Sequence, residues 1–258
     1  MRILGAVYIM NCRSGERLMS SIVHRPASTL PSTTLGWLSL RDHFVATVGP
    51  RAGEGRKLGP LLVLADATFA PRSRFPLHSH REMEILSIVV DGELSHHGDH
   101  AHGASFGPRS AQLISARSGM MHAEGNDTDT PTRMLQLWFE PDRHGGAPAC
   151  FSRRLGDAGR QLIAGDEAMP LRADARVWWI SLRCGVREEL ALEGGRQGYL
   201  LALSGPIDVE SGGQVARVRV ETGDGAVVEP VERVEPGVVR LTTEEAGCAA
   251  IWIDVRFR

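Results

Sequence analysis

Apolar and polar residues alternate through short runs, and glycine and proline break those runs at intervals that suit strands better than helices. Leu61 to Asp66 is a compact apolar run, expected to be the first strand of a barrel. Glu84 to Val90 reads as a strand, Asp91-Gly92 as its turn, and Glu93-Leu94 as the start of the return. Met134 to Phe139 is a further strand. In the second half, Val177–Leu182, Gln197–Leu203, Val215–Val220, Gly225–Val228 and Ala249–Val255 repeat the pattern. A second barrel is therefore expected rather than an extension of the first. Residues 20–60, with Pro26, Pro31, Pro50 and Pro60, read as an irregular arm with short strands. Asp142 to Cys150 reads as a linker, and Arg153 to Met169 as a short helix or connecting loop. The expected organisation is all-β: an arm or extension over 1–30, a first barrel over 31–145, and a second over 146–258.

Composition narrows the function classes. A hydrophobic content of 42% allows a proper core. A net charge of -2 gives no electrostatic case for nucleic acid, and 5% aromatics disfavour a base-stacking surface. Cys12, Cys150, Cys184 and Cys248 are scattered without a paired spacing, which fits thiols in a reducing compartment, so a cytoplasmic protein is expected. No apolar run reaches the roughly 20 residues of a membrane span. Ile3 to Met10 is too short, and too soon followed by Asn11-Cys12-Arg13, to be read as a signal peptide. Met19 is offered as the natural start; a mass spectrum of native protein showing earlier residues would refute that.

The candidate chemistry lies between Phe75 and Glu124. His78-Ser79-His80 and His122-Ala123-Glu124 each place two potential ligands two residues apart, on one face of a strand. If the pairs lie on facing strands of a small barrel, three imidazoles and a carboxylate converge. That donor set suits a divalent first-row ion and leaves room for water, dioxygen or substrate. No histidine follows His144, so the second barrel cannot repeat the site. His96, His97, His100 and His102 form a glycine-rich cluster, read as a solvated loop rather than a second site, with His96 the least loop-like of the four. His43 is read as a surface or hydrogen-bonded residue.

At Phe75 to Leu86, Asp91 to His96 and Ser118 to Glu124 the sequence resembles the pirin family of the cupin superfamily. The family usually has proline where Ser79 stands, glycine near Arg117, and a Pro-Gly-acid turn near Gly107-Pro108-Arg109. The resemblance implies two jelly-roll cupin barrels, the N-terminal one binding metal. It implies His78, His80, His122 and Glu124 as ligands of one divalent transition metal ion, iron first, with nickel, manganese, cobalt, copper or zinc as alternatives. Glu84 is left to orient an imidazole. By resemblance to quercetinases, the reaction would be ring-opening of a flavonol by dioxygen, with Glu124 as the base. Phe75, Met83, Met120 and Met121 would be apolar neighbours. The rival implied by the family is a non-catalytic, metal- or redox-responsive co-regulator that binds a protein partner; neither reading needs direct nucleic-acid or membrane contact.

Overall fold

The computed structural model describes residues 21–211, 216–229 and 237–257. The readings at Ile3 to Met10, Cys12 and Met19, and the start of the strand at Val215, lie outside them. The first strands are β1 (Ser21–Arg25), β2 (Ser32–Thr34), β3 (Leu38–Asp42), β4 (Leu61–Phe69), β5 (Ser73–Arg74), β6 (His78–His80), β7 (Glu84–Asp91), β8 (Leu94–Gly98), β9 (Ala104–Phe106), β10 (Ser110–Ser115), β11 (Met120–Asn126), β12 (Thr132–Phe139) and β13 (Ala149–Arg154). They continue as β14 (Gly159–Ala164), β15 (Ala175–Leu182), β16 (Glu188–Leu192), β17 (Arg196–Ser204), β18 (Ile207–Ser211), β19 (Ala216–Val220), β20 (Gly225–Glu229), β21 (Gly237–Thr242) and β22 (Cys248–Arg256). No α-helix occurs among the described residues; the one helical turn is 3-10, at Ala27–Thr29. The chain is all-β and divides into two compact units.

One unit comprises Leu30–Asp157 and Gln161–Trp178. Its larger sheet runs β13-β10-β7-β12-β4-β3-β2, and a smaller one runs β5-β11-β8-β9 with β6 added beside β11. β7 is buried from Glu84 to Val89, as a central strand covered on both faces must be. Leu38, Leu40, Ala67, Phe69, Val89 and Met134 of the larger sheet pack with Leu94 of the smaller, so the two sheets share one core. Two expectations are corrected here. Leu61 does not begin the barrel: β2 and β3 precede it in the same sheet. Arg153 to Met169 is neither helix nor plain loop, since β13 ends at Arg154 and β14 follows. β13 pairs along its whole length with β10 at the sheet edge, and its half-exposed side chains conceal the strand period.

Among the described residues, the other unit groups 21–29 and Ala158–Arg160 with those of Trp179–Phe257. β1, β20, β17 and β22 lie side by side, and β16, β21, β18 and β19 form a second sheet. Trp252 and Tyr199 are its largest fully buried side chains. Glycines make room for both rings: a Cβ on Gly198 would strike the Trp252 indole, and one on Gly225 the Tyr199 ring. Gly198→Ala should therefore cost about 3 kcal/mol, the upper end of ordinary overpacking. An unchanged denaturant midpoint would show that the indole can move aside. His24 Nε2 lies 2.8 Å from Asp224 Oδ2, and Ala27 N donates to Asp224 Oδ1 at 2.7 Å, which fixes the end of β1 in this unit.

Candidate metal centre

The two ligand pairs meet on neighbouring strands of one sheet, not on facing strands. β6 and β11 are antiparallel, with Met120 opposite His80, Met121 opposite Ser79 and His122 opposite His78. Alternation sends the three imidazoles inward and leaves Ser79 and Met121 exposed. Two left-handed residues stand at one end of this strand pair: Glu82 at φ 49°, just after β6, and Arg117 at φ 42°, just before β11, tied by a Glu82 N to Arg117 O hydrogen bond of 2.8 Å. Arg117 thus adopts the backbone shape that favours glycine. On the far side of β11, Gly98 (φ 113°) lets the hairpin approach closely, because a Cβ there would strike the Met121 carbonyl oxygen and the His122 Cα.

The imidazole centroids are 4.8 Å apart for His78 and His80, 4.7 Å for His78 and His122, and 5.0 Å for His80 and His122. Their ligand nitrogens all lie within 4.8 Å of one another. His78 Nδ1 sits 2.8 Å from the Pro76 carbonyl, so Nδ1 carries the proton and Nε2 keeps its lone pair. His80 Nε2 and both nitrogens of His122 are buried without a hydrogen-bond partner. Burial, followed by the neighbouring His122 and His78, pushes His80 down to about 4. Burial, with His78 and His96, pushes His122 down to about 3. Both rings are therefore neutral at neutral pH, the form that binds metal. Buried lone pairs without donors are costly unless something else satisfies them. A divalent ion of borderline softness would do so, and the donor set fits one.

Glu124 enters through a second cluster. Its carboxylate lies within 4.8 Å of ligand atoms of His96 and His122, so His122 belongs to both groups. Glu124 is 2% exposed. Ser87 donates to its Oε1 at 2.6 Å, and Gln136 Nε2 donates to its Oε2 at 3.0 Å. His96 stands opposite Glu124 on β8, fully buried. Gln112 Nε2 donates to its Nδ1 at 2.8 Å, and its Nε2 faces the Asp99 carbonyl at 3.2 Å, so both nitrogens are engaged.

The histidine run is therefore not one solvated loop. His96 and His97 belong to β8, and His97 pairs with Asp127 at 2.8 Å. His102 Nδ1 accepts from Gly98 N at 3.2 Å. Glu84 does not orient an imidazole: it accepts from Ser115 Oγ at 2.5 Å and from Arg172 N at 3.3 Å. His43 is fully buried rather than on the surface. Met83 and Met120 pack in the cluster with Ile85, Ile114 and Ala116, while Met121 is exposed.

A cavity of about 260 Å³ opens beside the centre. His78, Glu124, Gln136 and Trp138 line it together with Phe75, Val63 and other apolar side chains. Its wall also includes Thr47 and Val48, from a segment that carried no strand period and gave no sign of facing a site. The Trp138 ring meets His80 edge-on at 5.1 Å between centroids.

The sequence model of the family described as Pirin matches residues 25–139. A Pseudomonas aeruginosa protein provisionally named a quercetin 2,3-dioxygenase is 35% identical over 224 residues, covering 83% of this chain and 94% of the relative. A protein of Caulobacter vibrioides named pirin-like is 32% identical over 233 residues, covering 87% and 95%. The crystal structure of the bacterial pirin YhhW from Escherichia coli in complex with nickel(II) superposes with a TM-score of 0.80 at 21% identity, covering 91% of this chain and 99% of that one. The two units accordingly have the fold of paired cupin barrels.

Proposed function

The chain belongs to the pirin family, and from that premise we propose that it is a metal-dependent dioxygenase of the quercetin 2,3-dioxygenase type. One observation carries the reading: the buried, unsatisfied nitrogens of His80 and His122 converge on His78, which lines an apolar cavity together with the carboxylate of Glu124. His78, His80 and His122 would hold the ion, with Glu124 as the fourth ligand. Iron comes first for dioxygen chemistry; nickel is supported by the related pirin solved with it. The bound ion would supply Lewis acidity toward the substrate's deprotonated hydroxyl and a route for electrons to dioxygen.

The chain's own groups do the rest. Glu124, on the cavity wall, accepts the proton that the flavonol hydroxyl gives up. Ser87 and Gln136 hold its two oxygens in place, so the carboxylate is aimed before substrate arrives. Phe75, Phe69 and Val63 exclude water from the ring-opening step, which takes up dioxygen and releases carbon monoxide. The N-terminal barrel carries this chemistry; His24, the histidine described in the other unit, is bonded to Asp224 instead.

The test is dioxygen-dependent loss of the flavonol absorption band with protein of defined metal content. Glu124→Gln should lower turnover by about 10²–10⁴, the usual contribution of a positioned base, and His78→Ala should abolish it. Turnover retained in both variants sinks the mechanism. No turnover with any first-row metal, together with metal-dependent capture of a protein, would favour the co-regulator reading.

A further inference from the structure

We infer that the cavity selects a neutral aromatic ligand with its oxygen atoms gathered at one end, and discriminates against one hydroxylated around its outer rings. The inference rests on the dioxygenase reading and sharpens its substrate class. The polar side chains of the wall are grouped: Gln136 is bonded to Glu124, and His78 is paired with His122, two residues from Glu124. Trp138 adds an indole N–H without a partner, its ring edge-on to His80; Thr47 is the remaining hydroxyl among the described lining residues, and none of them is lysine or arginine. A carboxylate or phosphate on the ligand would meet no cation there.

The floor has another character. Val63, Ala65, Ala67 and Phe69, alternate residues of β4, all line the cavity. β4 is hydrogen-bonded to β3 on one side and β12 on the other, so its backbone groups are already used. Leu40 and Met134 flank Ala67 in the same register. A ligand hydroxyl laid on this floor would leave water and gain no partner. Ala65 and Ala67 reach up with single methyl groups and so set the depth available to a flat ring.

The experiment is titration calorimetry of metal-free and nickel(II)-loaded protein with two flavonols: 3-hydroxyflavone, whose outer rings are unsubstituted, and quercetin, hydroxylated on both. 3-Hydroxyflavone should bind at least about tenfold more tightly in both forms, the discrimination expected for hydroxyls buried without partners. Ala67→Leu should weaken it by a similar factor while the nickel(II) stoichiometry stays unchanged. If that variant fails to fold, Met134→Gln serves instead, because an amide on the floor should erase most of the preference. Equal or tighter binding of quercetin overturns the inference, as does absence of binding by either flavonol or indifference to the floor variant. A binding preference without turnover supports it and sinks the dioxygenase reading; turnover without a preference does the reverse.

Discussion

Metal-free protein carrying His122→Leu should be more stable than the wild type, and nickel(II) should stabilise the wild type alone. His122 is 1% exposed, and neither ring nitrogen has a hydrogen-bond partner. Its neutral ring therefore sits in the interior with unsatisfied polar atoms, a cost of about 1–3 kcal/mol. Leucine has a similar volume and no polar atom, so the substitution removes the cost without opening a cavity. At this chain length about 1 kcal/mol is worth about 2–4 °C in Tm. The same change deletes the one side chain shared by the two ligand clusters. With nickel(II) at about a hundred times its Kd, the wild type should gain about 2.7 kcal/mol and the variant nothing, so the variant's lead of about 1–3 kcal/mol closes or inverts. Thermal melts with and without the ion read both effects. If the metal-free variant melts below the wild type, the nitrogens are satisfied after all. If nickel(II) raises both melts equally, the ion binds elsewhere.

Much of that centre could be read from spacing because strand geometry has a short period. A step of two returns to the same face, so His78 with His80, and His122 with Glu124, needed no tertiary information. Whether the pairs faced each other or lay side by side did need it. Sheet topology decides that, and the turns at Glu82 and Arg117, hydrogen-bonded to each other at one end of the strand pair, contain non-glycine residues in a left-handed backbone that a sequence reading does not assign to them. The residues that hold Glu124 were hidden for a related reason. Ser87 and Gln136 lie on β7 and β12, neighbours in the sheet but distant in sequence, and each reads as one polar residue in an apolar strand.

The strands themselves were legible where burial was one-sided or complete. β4, β12, β15, β17 and β22 carry long apolar runs, and their periods announce them. β13 and β14 did not, because edge strands keep polar residues where an interior strand has apolar ones. His96, the least loop-like of its run, shows the converse difficulty. Its glycine- and histidine-rich surroundings suggested solvent, yet Leu94 and His96 point inward from one face of β8, and the histidine is satisfied by Gln112 and Asp99. A buried polar group with good partners leaves no trace in hydropathy.

A second buried polar group has no such partners, and Asp42→Asn should stabilise the protein by about 3 kcal/mol near neutral pH while changing little near pH 4. Asp42 follows Leu38 and Leu40 on the buried face of β3 and is 1% exposed. Neither carboxylate oxygen has a hydrogen-bond partner. Burial raises its pKa from 3.8 to about 6. Between those values the folded protein binds more protons than the unfolded chain, so stability falls as pH rises through the window. Above it, the folded state bears the whole cost of ionising or protonating a buried acid; below it, the protonated acid costs no more than an amide of the same shape. The asparagine variant removes this one titration, so comparing it with wild type cancels every other group that titrates in the range. Denaturant unfolding at about pH 4, 5, 6 and 8 should show the difference opening with pH at up to about 1.4 kcal/mol per unit, then levelling off above the folded pKa. A difference that stays constant across the series, or favours the wild type at the alkaline end, would mean that Asp42 has a partner that stabilises its charge.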